Sequence, residues 1–207
     1  MKKGILALAA AALMSLGFGN QVNAQVEQGS IIIDPYYGYP NFGKSLASSL
    51  EGDFDEQSAV GGIGPAGLRF EYLLADNLGV GFDFIYNDFS VSGTIDSLNN
   101  DGTVYQSYDA TAFARRIRFQ ARLNYHFVQT DVVDAYVGFG AGTNTRIFGF
   151  KTDYPNYELA DNVTGSLIPV SARIAVGTRY YFTPNIGLNA ELGLGGPLVS
   201  AGLSIKF

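Results

Sequence analysis

Between Ala110 and Phe127 the chain sets a polar side chain at every second position: Arg116, Arg118, Gln120, Arg122, Asn124 and His126. The residues between them are Ile117, Phe119, Ala121, Leu123, Tyr125 and Phe127. In an extended strand, side chains two apart share a face, so this spacing brings three guanidinium groups and one imidazole onto one surface. Other segments offer charges of matching parity. The full set expected on that surface is Asp34, Arg69, Glu71, Asp83, Arg116, Arg118, Arg122, Arg173, Arg179, Glu191 and Lys206. Two chemistries suit such a set in an enclosed interior. One is a plug of ion pairs, because a lone buried charge is costly or becomes neutralised. The other is a narrow path that favours small anions, as rings of Arg and Lys do in pores.

His126 is the single histidine. No Gly-x-Ser-x-Gly element and no local Ser, His and carboxylate set accompanies it, so no catalytic residue is assigned and no enzymatic activity is expected. The stretch Glu51-Gly52-Asp53-Phe54-Asp55-Glu56 offers oxygen ligands without the spacing of a calcium loop. There is no cysteine. No metal and no cofactor is assigned.

The elements that would hold these side chains are strands. The last forty residues read most clearly. Val170, Ala172, Ile174, Val176, Thr178, Tyr180 and Phe182 alternate with Ser171, Arg173, Gly177 and Arg179. Ile186, Leu188, Ala190, Leu192 and Leu194 alternate with Gly187, Asn189, Glu191 and Gly193. Val199, Ala201, Leu203, Ile205 and Phe207 alternate with Ser200, Gly202, Ser204 and Lys206. Thr183-Pro184-Asn185 and Gly195-Gly196-Pro197 separate them with turn compositions. Five earlier strands are expected at Ile31 to Gly38, Val60 to Leu74, Leu78 to Phe89, Ala110 to Phe127 and Ala135 to about Phe148. The connections alternate in length: Tyr39 to Ala59, Gly93 to Asp109 and Lys151 to Leu167 are long, whereas Ala75-Asp76-Asn77 and Val128 to Asp134 are short.

The polar alternates are Gly, Ser, Asn and pairable charges, which fit a crowded lumen better than a solvated surface. Aromatics gather at strand ends on the apolar face. Tyr72, Tyr125, Phe127, Tyr180, Phe182 and Phe207 fall at one end, and Tyr86, Phe89 and Phe113 at the other. Two aromatic belts are what membrane interfaces ask for. The expected fold is therefore all-β: an eight-stranded antiparallel up-and-down transmembrane β-barrel with its apolar face in lipid.

Met1-Lys2-Lys3, the apolar run Gly4 to Phe18 and the ending Val22-Asn23-Ala24 have the layout of a secretory signal, with cleavage expected between Ala24 and Gln25. Residues 1–24 are then the signal and residues 25–207 the barrel domain. The formal charge is −6, and loss of Lys2 and Lys3 leaves −8. That acidity excludes a basic nucleic-acid surface, so no nucleic-acid partner is expected. The three long loops carry −3, −3 and −2, which equals the whole mature charge. Lys44 stands there against Glu51, Asp53, Asp55 and Glu56; the second loop has Asp96, Asp101 and Asp109; Lys151 stands against Asp153, Glu158 and Asp161. Tyr105, Tyr108, Tyr154 and Tyr157 add loop aromatics.

The signal, the eight period-two strands and the ending Ile205-Lys206-Phe207 resemble the small outer-membrane barrels of Gram-negative bacteria. The nearest types are the barrel half of outer-membrane protein A, the outer-membrane protein X group and the outer-membrane β-barrel proteins common in the Bacteroidota. The resemblance implies an integral, porin-like cell-envelope protein of the outer membrane. It implies periplasmic termini and extracellular long loops, in contact with outer-membrane lipid and lipopolysaccharide. A terminal Phe on such a strand is similar to the signal read by the barrel-assembly machinery, which implies that role for Leu203, Ile205 and Phe207. The expected function is structural or surface-interacting at the envelope, with an extracellular partner reached through the acidic loops. The alternatives are a narrow, anion-leaning channel and a soluble ligand-binding barrel of lipocalin type.

Overall fold

The computed structural model describes residues 26–49, 58–99, 102–155, 163–165 and 168–207. The signal with its cleavage site at Ala24 and Gln25 lies outside these. So do the loop residues Glu51, Asp53, Asp55, Glu56, Asp101, Tyr157, Glu158 and Asp161.

Ten strands and one helix are present among the described residues: β1 (Ile31–Tyr39), α1 (Phe42–Ser49), β2 (Ala59–Gly61), β3 (Ala66–Ala75), β4 (Leu78–Leu98), β5 (Val104–Gln129), β6 (Val133–Thr152), β7 (Val163–Thr164), β8 (Val170–Tyr181), β9 (Ile186–Leu194) and β10 (Val199–Lys206). Eight of them pair in the order β4-β3-β1-β10-β9-β8-β6-β5, and a β4–β5 ladder closes the ring. The ladders that close it are antiparallel throughout. Chain ends meet beside each other: Ile31 and Phe207 exchange backbone hydrogen bonds of 3.0 and 2.8 Å. No sheet edge is left in the ring, so its backbone groups are satisfied internally.

β1, β3, β8, β9 and β10 have 8 to 12 residues, about the length that a tilted strand needs to cross a bilayer. β4, β5 and β6 have 21, 26 and 20 residues. They run on past the barrel at one end, here called the hairpin end; the opposite end, with the tight turns, is the turn end. This corrects three sequence expectations. Gly93 to Asp109 is a hairpin and not a loop: Gly93 faces Ala110 and Thr94 faces Asp109 in β4–β5 register. Val60 to Leu74 is two strands, because β2 pairs with β4 at Ser90–Ser92 while β3 begins only at Ala66. Tyr39 to Ala59 contains α1, which packs against β4 and β2.

Burial follows the period of two. Along β9 exposed and buried residues alternate from Ile186 to Leu192, and β8 does the same from Ala172 to Arg179. The apolar residues are the exposed ones: Leu192 is 62% and Val176 53% exposed, while Glu191 and Arg179 are each 1% exposed. The barrel is inside out relative to a soluble protein. Two glycines on the inner face make room for bulk. A Cβ at Gly177 would run into the ring of Tyr136, and one at Gly79 into the carboxyl of Glu71.

Candidate functional site

Side chains from seven strands meet at the centre of the lumen. Arg69 on β3 stands opposite Asp83 on β4 and Asp34 on β1. Arg122 faces Gly81 and Gly140, and Arg173 faces Gly140, so the small neighbours leave room for both side chains. The result is a compact cluster. Glu191 accepts from Arg122 at 2.6 Å and from Arg173 at 2.6 Å, with Arg69 at 3.4 Å. Asp83 lies 3.2 Å from Arg122, 3.7 Å from Arg69 and 4.0 Å from Arg173. Two tyrosines complete it. Tyr36 donates to Asp83 at 2.7 Å, and Tyr136 donates to Glu191 at 3.1 Å. The Arg69 guanidinium lies 3.9 Å over the Tyr36 ring.

A second cluster sits toward the turn end. Arg179 binds Asp34 at 2.9 Å, Glu71 at 2.6 Å and Asp134 at 2.8 Å. His126 lies between Glu71 (Nε2, 2.9 Å) and Asp134 (Nδ1, 2.6 Å). Both ring nitrogens meet carboxylate oxygens, and only an imidazolium donates on both sides. With that proton, the four arginines and His126 balance the five carboxylates of the two clusters. Every one of these ten side chains is at most 5% exposed. Packed side chains fill this stretch of the lumen, as the width of an eight-stranded barrel allows.

Asp134 and the two tyrosines are absent from the sequence-derived set. The sequence pattern places Asp134 in the connection Val128 to Asp134, but β6 begins at Val133 and Asp134 pairs with Arg179 across the β6–β8 ladder. Its parity with Tyr136 and Gly138 is the signal that places it inward. Tyr136 carries no charge to draw notice, although it is fully buried.

The remaining sequence-derived residues lie apart from these clusters. Lys206 is 8% exposed near the turn end, with its Nζ 5.4 Å over the Tyr181 ring. Arg116 and Arg118 sit toward the hairpin end. Arg116 donates to Asn144 at 2.7 Å, and Arg118 donates to the Gly195 carbonyl at 2.5 Å. Neither forms an ion pair among the described residues. Together with Arg146, Phe42, Phe89 and Phe148 they line a cavity of about 270 Å³. Phe89 thereby corrects the outer aromatic belt: it packs inside, against Gly43 of α1, and does not face out. Leu203 and Phe207 are 48% and 68% exposed on the outer face of the last strand.

Among the described residues no group of three or more His, Cys, Asp or Glu is arranged to hold a metal ion. No described helix is long and apolar enough to cross a membrane.

The chain matches no family model and no curated protein. Among solved structures it is similar to OprG from Pseudomonas aeruginosa, at 15% identity over 87% of this chain and 97% of that one, with a TM-score of 0.45. It is similar to the N-terminal β-barrel domain of OprF from the same organism, at 14% identity over 87% and 99%, with a TM-score of 0.40. The attachment invasion locus protein Ail of Yersinia pestis gives the same identity, coverage and TM-score as the OprF domain. Likeness this faint says nothing about function, and the barrel assignment stands on the closed ring of strand pairing.

Proposed function

We propose that this chain is an integral outer-membrane β-barrel protein with a structural or surface-interaction role at the cell envelope. One observation carries the reading: a closed barrel exposes its apolar residues around the whole girdle while it buries ten charged groups in mutual contact. In water, a continuous apolar belt of this kind drives association. In a bilayer it is the required outer surface, and the lumen is the only place for charge. A soluble lipocalin-type barrel needs the opposite arrangement.

The interior supports the structural role over the channel. The two clusters span the lumen with side chains that already hold each other, and Tyr36 and Tyr136 occupy space between them. The hairpin end supports the surface role. The β4–β5 hairpin stands beyond the girdle and presents Tyr105 at 71% exposed, while Tyr108 packs edge-on against Tyr154 with ring centroids 4.7 Å apart. Exposed tyrosines with nearby Asp96, Asp109 and Asp153 suit an extracellular protein partner, and acidic loops suit divalent cations bridging to lipopolysaccharide. On this reading the signal is removed between Ala24 and Gln25. The termini are then periplasmic, and Leu203, Ile205 and Phe207 are read by the barrel-assembly machinery. No reaction is assigned to the chain.

The test uses cells and refolded protein. A cysteine placed at Tyr105 should react with an impermeant maleimide on intact cells, and one placed at Asn77 should react only after lysis. The purified protein should need detergent to stay monodisperse and should migrate differently on gels when unheated. A monodisperse protein in plain buffer would overturn the membrane reading; reversed labelling would overturn the orientation. Steady single-channel current from the refolded protein would replace the structural role with the channel.

A further inference from the structure

We propose that the cavity at the hairpin end of the lumen is a binding site for a small organic anion, a phosphate, sulfate or carboxylate carried on a flat apolar body. This rests on the barrel geometry and not on where the barrel resides.

The first argument is uncompensated charge. Arg116 on β5 and Arg146 on β6 stand directly opposite each other in the ladder. Like charges at opposed positions destabilise a sheet. Arg118 follows on the same face two residues on. Among the described residues no carboxylate lines the cavity, and none of the three arginines makes an ion pair. Acidic neighbours are committed elsewhere: Asp88 accepts from the Ile63 backbone N–H at 2.7 Å. The contrast lies within one strand, because Arg122, two turns of the pleat further in, is held by both Asp83 and Glu191.

The second argument is an unused donor. Arg118 is 6% exposed, and its Nε is buried with no hydrogen-bond partner. Its one hydrogen bond runs from Nη1 to a neutral carbonyl. A buried guanidinium left with a free N–H costs stability unless a ligand accepts from it. An oxyanion with two or three oxygens meets several guanidinium donors at once, in the bidentate manner that Arg favours.

The third argument is the wall. Phe89 and Phe148 point into the same space, Phe42 comes from α1, and Pro40 and Pro65 add apolar surface. A free inorganic anion would leave these rings without contacts. Guanidinium groups and aromatic rings in one cavity fit a ligand that has one charged and one flat apolar end.

Phenyl phosphate is the probe, titrated by calorimetry into the folded protein in a non-ionic detergent, with protein-free micelles as the blank. One site should appear, and its affinity should fall as salt rises. Arg116→Gln and Arg118→Gln should each weaken binding by about tenfold, from loss of a charge-assisted hydrogen bond. Arg118→Lys should recover part of that loss, since it keeps the charge and loses the fork. Phe89→Ala should weaken phenyl phosphate and leave inorganic phosphate unchanged. Lys151→Gln, outside the cavity, should change nothing. Unheated gel migration reports folding; Arg116 is only half-buried, so its variant carries the test if Arg118→Gln does not fold. Heat no greater than the micelle blank would overturn the site, as would binding indifferent to Arg116→Gln. Inorganic phosphate bound as tightly as phenyl phosphate would overturn the organic-anion assignment.

Discussion

The barrel holds its arginines in two ways. Arg69, Arg122, Arg173 and Arg179 are each within 4.0 Å of a buried carboxylate, and most touch two. Arg116, Arg118 and Arg146 share one wall of an open cavity and bond only to amide and carbonyl oxygens where they bond at all. Both groups use the same residue type on the same inner face. What differs is the supply of carboxylates along the barrel axis. Asp34, Glu71, Asp83, Asp134 and Glu191 all lie in the middle or toward the turn end, and none lies at the hairpin mouth. The lower lumen is therefore closed on itself, whereas the mouth is left with cationic capacity to spare. A closed ion-paired plug holds the barrel together, and a mouth with unspent donors is built to meet something else.

The sharpest way to break the comparison is to remove the carboxylate on which three arginines converge. Glu191→Ala leaves Arg69, Arg122 and Arg173 with Asp83 alone, and should lower stability by about 3–5 kcal/mol, the cost of stranding buried charge. Denaturant unfolding of the protein in lipid vesicles measures it. The adjacent residue tests the other face. Leu192→Arg should cost about 2–4 kcal/mol by placing charge against hydrocarbon, and should be read in the same assay. Equal tolerance of both substitutions would mean that the two faces are assigned backwards. A finer cut is Tyr136→Phe, which keeps the ring under Arg179 and removes only the hydroxyl that donates to Glu191. It should cost about 1.5–3 kcal/mol, the value of a hydrogen bond to a charged group. At the mouth the same assay should register almost nothing. Arg116→Gln should stay within about 0.5 kcal/mol of the parent, or gain slightly, because it relieves the opposed pair with Arg146. A large loss there would mean that the mouth arginines are structural like those below.

Much of the site could be read from parity alone. Arg69, Arg122, Arg173 and Glu191 each sit between apolar neighbours, and Arg179 between Thr178 and Tyr180 in the same alternation, so their face follows once one face is known to be apolar. Asp134 is not legible in this way, because the readable alternation begins only at Ala135. Phe89 lies near a strand end, where an aromatic suggests a belt, but its parity with Asp83 and Asn87 points inward. The length of β4 and β5 was hidden for a different reason. From Gly93 to Asp109 the sequence mixes Gly, Ser, Thr and Asp with Ile95, Leu98, Val104, Tyr105 and Tyr108, without a sustained period of two. Beyond the bilayer both faces of a hairpin meet water, so hydrophobic alternation vanishes while the ladder continues.

The sequence by itself determined the class of fold, the sidedness of each strand and the chemical character of both faces. These depend on local period, which pleating converts directly into direction. Only the tertiary structure decided which charges meet. Glu191 finds Arg122 across 69 residues, and Arg179 finds Asp34 across 145. That choice follows from the register of the closed ring, because a shift of one ladder step would bring a different set of heights together. The same register left Arg116 and Arg146 facing each other without an ion pair among the described residues, a fact that lies in no single strand.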